Sequence, residues 1–162
     1  MLVAVVIGSI SKAVTGMGLP VIVIPIAALF VDIGDAVVVI ALPNLLANAV
    51  LVVREREHVH ETRDLPALAI TGGIGAVIGT LLFVNVPDEP LVIALIIAIV
   101  VYITTFFLKP DLRTSPEQSR RLSPFAGLLA GTFQGAIGIS GPVVGSWIHS
   151  FRLPRGAHIF SV

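Results

Sequence analysis

Lys12 to Val21 reads KAVTGMGLPV, and Gln134 to Val143 reads QGAIGISGPV. Aligned residue for residue, Gly16 matches Gly138, Pro20 matches Pro142 and Val21 matches Val143. Three identities carry little weight in an apolar chain, but their setting carries more. Each stretch interrupts an unusually long apolar run, the first from about Leu2 to Phe30 and the second from Leu122 to Ile148. Glycine lets a backbone leave helical angles at little cost. Proline lacks an N–H and suits the first turn of a new helix. Both stretches therefore read as breaks, each closing one half-helix and opening another at Pro20 or Pro142.

The rest of the chain says what the breaks sit in. Of its 162 residues, 56% are hydrophobic and 12% charged, and the mean hydropathy is +1.01. A soluble domain of this size cannot bury so much apolar surface. Ten basic residues balance ten acidic ones, which leaves no basic face for a nucleic acid. There is no cysteine, so disulfides, thiolate metal sites and cysteine nucleophiles are excluded. Soluble enzymes, disordered tails and nucleic-acid binders fall away, and an integral membrane protein in contact with a lipid bilayer remains. Between the breaks the sequence predicts helices over 36–53, 65–84 and 91–108. Each is about one bilayer crossing, and none shows the period-2 alternation of a barrel strand. A further helix starts at 156–162.

Charge orients these segments. The loop 54–64 holds Arg54, Arg56 and Arg63, and the loop 109–121 holds Lys109, Arg113, Arg120 and Arg121. The loops near Asp32 and Asp35, and near Asp88 and Glu89, hold no Lys or Arg. Basic loops stay in the cytoplasm, so 54–64 and 109–121 are cytoplasmic. Arg152 and Arg155 then pose a question. If the fifth segment crosses once, they lie outside. If it is a re-entrant hairpin, they return to the cytoplasm. Its halves measure about 13 and 7 residues, about 20 and 10 Å as helix, and neither spans about 30 Å of hydrocarbon. The hairpin is the reading taken; a single kinked crossing is the alternative. The first segment has the same build.

The fold class expected is therefore all-α integral membrane: a polytopic helical bundle with inverted-topology repeats, each opened by a broken, re-entrant helix. The first repeat covers 1–121, with its broken helix at 2–30. The second starts at 122–162, with its broken helix at 122–148, and is incomplete. Matched Gly/Pro interruptions in two halves point to a transporter's binding site. Half-helix starts expose unpaired N–H groups and the positive end of the helix dipole, so two of them meeting near the midplane suit an anion. Tight packing through small residues is the competing account.

The residues around the breaks fit a known pattern. Gly16-Met17-Gly18-Leu19-Pro20, the stretch from Asn44 to Arg54, the run Gly72-Gly73-Ile74-Gly75-Ala76-Val77-Ile78-Gly79, and Gly135-Ala136-Ile137-Gly138-Ile139-Ser140-Gly141-Pro142 together resemble the TauE/SafE-type sulfite exporters of bacterial membranes. The resemblance covers essentially the whole chain, in order. It implies export of sulfite or a small organosulfonate across the cell's inner membrane, coupled to an ion gradient. Members of that family are longer, with a completed second repeat, so this chain reads as a partial one. No cofactor is implied, and a homo-oligomer is compatible.

Candidate substrate-binding residues follow. Lys12 lies about 16 Å into the first segment, where a cation needs a cavity or a partner. Snorkelling to an interface is its other explanation. Thr15, Gly16, Gly18 and Pro20 form the first break; Gly138, Ser140, Gly141 and Pro142 form the second. Asn44 and Asn48 share a helix face, and Gln134 is the repeat partner of Lys12. Helix–helix hydrogen bonding would also account for the three amides. His58 and His60, among Glu55, Glu57 and Glu61, suit a solvated surface better than a zinc site. His149 suits an interface. Two rival functions remain: a non-transporting membrane subunit or channel, and an intramembrane serine protease of rhomboid type. The second rests on Gly138-Ile139-Ser140-Gly141, but needs His149 or His158 as base, and neither is placed for it.

Overall fold

A computed structural model describes residues 2–108 and 114–162. Lys109 and Arg113, counted above in the loop 109–121, lie outside the described residues. The described residues form eight α-helices and no strand: α1 (Leu2–Thr15), α2 (Leu19–Ala27), α3 (Ile33–Glu55), α4 (Leu65–Asn85), α5 (Asp88–Leu108), α6 (Pro116–Ile137), α7 (Gly141–His149) and α8 (Arg155–Ser161). A short 3-10 turn, Arg56–Glu61, follows α3. Among the described residues, two helical stretches are long and apolar enough to cross a membrane, Ile33–Glu61 and Leu65–Asn85. α5 has 21 residues, about 31 Å of helix.

Both apolar runs are broken where the glycines and prolines stand, at 16–18 and at 138–140. α6 departs from expectation. It starts at Pro116 and has 22 residues, whereas the sequence suggested about 13 from Leu122. A capping box explains the difference. The Ser115 hydroxyl accepts the Gln118 N–H at 3.3 Å, and the Gln118 side chain accepts the Ser115 N–H at 3.3 Å. That pairing satisfies two orphan donors and carries the helix through Arg120 and Arg121. The length argument for a short first half thus fails for α6 as a whole, which measures about 33 Å. Only its apolar part, from Leu122, stays below one crossing.

Burial runs opposite to a soluble protein. Val39 is 69% exposed and Leu42 63%, and α4 and α5 likewise present Val77, Leu81, Ile96 and Val101 outward. An apolar belt this continuous suits lipid. The best-buried large side chains are Val23 and Ile24 of α2, Ile137 and Ile139 at the second break, and Ile148 of α7. The half-helices α2 and α7 sit inside, while α1 and the long helices present apolar side chains outward. This order is physically required, because an interrupted backbone cannot face hydrocarbon.

Contacts fix the helix directions. Gly127 approaches Leu68, Gly131 approaches Gly72 and Gly135 approaches Ala76, so α4 and α6 run parallel. Their backbones touch along glycines four residues apart, the spacing that brings one helix face together. One end of the bundle is tied by Ser119 donating to Asp64, by Arg63 donating to the Thr114 carbonyl at 3.4 Å, and by the Thr114 and Ser150 hydroxyls 2.7 Å apart. The end of α7 therefore returns to the start of α6. The opposite end gathers Ile33, Ala36 and Leu91, with Gly34 against Phe83. Arg63 and Arg152 mark the first end, Asp32 and Asp35 the second.

Candidate functional site

At the first break, Gly16 (φ 82°) and Gly18 (φ 127°) take backbone angles that side chains disfavour. A Cβ on Gly18 would stand 2.5 Å from the Ser11 hydroxyl. Thr15 holds this turn together. Its hydroxyl lies 2.7 Å from the Met17 carbonyl and 2.9 Å from the Ser11 carbonyl, and it accepts the Met17 N–H at 3.3 Å. Ser11 adds a longer bond to the same Met17 carbonyl, at 3.4 Å. Pro20 stands in the first turn of α2, and no side chain caps that helix start.

The second break is built differently. Gly138 ends α6 in the left-handed region (φ 72°), donating its N–H to the Gln134 carbonyl at 3.0 Å. The Gln134 side chain then accepts the Ser140 N–H at 3.1 Å. Pro142 occupies the first turn of α7, again without a side-chain cap.

The two breaks meet. A Cβ on Gly141 would lie 3.2 Å from the Val21 side chain and 3.7 Å from that of Met17. Between them is a cavity of about 30 Å³, about twice what a single water needs. From the first half it is lined by Lys12, Gly16, Gly18 and Pro20. α3 contributes Asn44 and Asn48, and the second break contributes Gln134, Ser140 and Gly141. Lys12 is 5% exposed, and its ammonium donates to the Asn44 side-chain oxygen at 2.8 Å. Both residues lie about 15 Å along helices that start at the same end, so they meet near half-depth. Snorkelling does not describe Lys12.

Nine of the twelve residues expected from the sequence line this cavity. Thr15, Gly138 and Pro142 do not. Thr15 is spent on the turn; Gly138 packs against Ile24 and Val37; Pro142 is buried in the α7 start. The sequence reading missed Met17, Val21, Ile139 and Val162 in the lining, and Ser11 behind it. Ser11 carried a signal, a small polar residue one turn before the first break. Outside the site, His58 lies between Glu55 and Glu61, 3.9 and 3.5 Å away, under Gly156 of α8.

The arrangement offers one ammonium, three side-chain amides, a hydroxyl and two uncapped helix starts around a small volume. That is donor-rich chemistry for a compact anion. A protein-family model described as sulfite exporter TauE/SafE matches residues 1–154. No curated protein and no solved structure matches the chain.

Proposed function

The chain belongs to the sulfite exporter TauE/SafE family of membrane transporters, and from that premise we propose that it holds sulfite, or a similarly small sulfur oxyanion or sulfonate, where its two helix breaks meet and exports it across the inner membrane. The observation that carries this reading is the shared cavity. Two half-helix starts from opposite parts of the chain, and the buried Lys12–Asn44 pair, all border the same small space. A compact oxyanion fits its size, and its donors match oxygen acceptors.

The rest of the reading follows from direction. α1 starts at the acidic end of the bundle and α6 at the basic end, so the two broken segments enter from opposite sides as inverted repeats. Thr114 against Ser150 supports a re-entrant second hairpin, with 54–64, 109–121 and 149–155 in the cytoplasm. Energy for export comes from an ion gradient, as the family resemblance implies.

Sulfite binding to the purified protein in nanodiscs tests the proposal, with sulfate and chloride as competitors. Saturable sulfite binding that Lys12→Met weakens by at least about tenfold, or about 1.4 kcal/mol, is expected. Equal affinity in the well-folded mutant removes the anion from this cavity.

A further inference from the structure

The sulfite cavity has a neighbour. A second, larger space of about 270 Å³ runs between α4, α6 and α7. It extends from Leu65 and Leu68 to Ala76 on α4, about 16 Å of helix, and is lined as well by Ala130 of α6, Val144 of α7 and Ser161 at the end of α8. Its lower rim is therefore next to Arg63 and Asp64, at the basic end. Gln134, Ser140 and Val162 line both spaces. They are the partition.

The partition is held lightly. The first break is tied by two hydroxyls, those of Thr15 and Ser11, acting on Met17. The second break is tied to α6 through one residue. The Gln134 carbonyl takes the Gly138 N–H, and its side-chain oxygen takes the Ser140 N–H at 3.1 Å. That side-chain bond is a single neutral hydrogen bond on a half-buried, rotatable arm. Gly138, already in the left-handed region, stands between the two bonds as a pivot.

We infer that Gln134 is a latch: its hydrogen bond to the Ser140 N–H closes the anion cavity from a cytoplasmic vestibule between α4, α6 and α7, and its release connects the two. The role rests on the reading of the small cavity as the anion site. It makes Gln134 a positioning residue whose first duty is to the backbone of the break. It also sets the side of entry, since the vestibule leads to the basic end.

The chain's lack of cysteine allows a direct test. Single cysteines are placed by Met17→Cys in the small cavity and Leu68→Cys in the vestibule. Each is treated with 2-sulfonatoethyl methanethiosulfonate in inside-out and right-side-out membrane vesicles. Leu68→Cys is expected to react quickly from the cytoplasmic face whatever stands at 134. Met17→Cys is expected to react slowly, and at least about tenfold faster from that face when combined with Gln134→Ala or the bulk-preserving Gln134→Met. Gln134→Glu keeps an acceptor for the Ser140 N–H and restores the slow rate. A Met17→Cys rate indifferent to all three substitutions overturns the latch. Acceleration by Gln134→Ala alone shows bulk rather than a hydrogen bond at work, and overturns it too. Leu68→Cys reacting only from the external face overturns the cytoplasmic vestibule. No sulfite flux enters the measurement, so a protein that never binds sulfite can still pass or fail it.

Discussion

Lys12 is buried at half-depth with one side-chain partner, and that makes its neighbour the more sensitive position. Removing a partner from a buried charge leaves the charge uncompensated, whereas removing the charge itself leaves only a neutral amide. Asn44→Leu should therefore destabilise the ligand-free protein by about 1.5–3 kcal/mol, and Lys12→Met by less. Added sulfite should raise the thermal midpoint of Asn44→Leu more than that of the unmodified protein, because the anion takes the place of the lost oxygen. A midpoint in Asn44→Leu that ignores sulfite would separate Lys12 from the anion. Thr15 belongs to a different class. Its hydroxyl holds the Met17 turn and lies outside the cavity, so Thr15→Val should lower stability by about 1 kcal/mol while sulfite affinity falls far less than in Lys12→Met. The sequence reading paired Thr15 with Ser140 because each is a polar residue in its break, although the alignment sets Thr15 against Ile137 and Ser140 against Gly18. Polarity alone cannot show that the Ser11 carbonyl one turn away, and the Met17 backbone, draw the Thr15 hydroxyl into local bonding. Lys12, by contrast, was legible, since a cation deep in an apolar run has few physical options. Its partnership with Asn44 was not, because residues 32 apart are joined only by tertiary packing.

At the scale of the elements, the α4–α6 pair depends on missing side chains. A Cβ on Gly131 would fall on the Gly72 carbonyl oxygen, and one on Gly79 on that of Thr132. Neither helix can yield, since the obstacle is backbone. Gly131→Val should cost about 3 kcal/mol or more, about 10 °C of thermal midpoint for a chain of this size, read by size-exclusion after heating in detergent. Gly73 sits in the same run with nothing within 4 Å of its Cβ position. There a helix gains from alanine, so Gly73→Ala should be neutral or stabilise by about 0.5–1 kcal/mol. The contrast matters because both glycines look alike in the sequence. A loss of stability in Gly73→Ala equal to that in Gly131→Val would mean the stripe has been assigned to the wrong face. Element positions were largely legible, because apolar runs and Gly/Pro breaks act locally. The start of α6 was hidden by Glu117, Arg120 and Arg121, which look like loop by composition. Only the reciprocal bonds of Ser115 and Gln118 show them to be a capped first turn outside the apolar part of the helix.

At the scale of the molecule, the charge count and the contacts support the proposed topology by independent routes. Seven basic residues in two loops, against none in the loops between, favour the proposed orientation of the helices. The Ser119–Asp64 and Thr114–Ser150 hydrogen bonds bring three chain segments to one end without reference to charge. If α7 carried the chain onward through the membrane, Ser150 would be separated from Thr114 by about 30 Å, and no hydroxyl pair could form. The consequence is measurable at exposed positions. Asp32→Cys, Glu117→Cys and Pro154→Cys, each in the cysteine-free chain, are treated with a membrane-impermeant maleimide on intact cells and again after lysis. Asp32→Cys should react on intact cells. Glu117→Cys and Pro154→Cys should both stay protected until lysis, as the α6–α7 hairpin requires. Reaction of Pro154→Cys on intact cells, with Glu117→Cys still protected, would make the segment a single kinked crossing. The start of α7 at Pro142 would then face away from the first break rather than toward it. The two helix starts would have no reason to share a cavity, and the anion site would lose its geometry, leaving family membership as the remaining argument for sulfite.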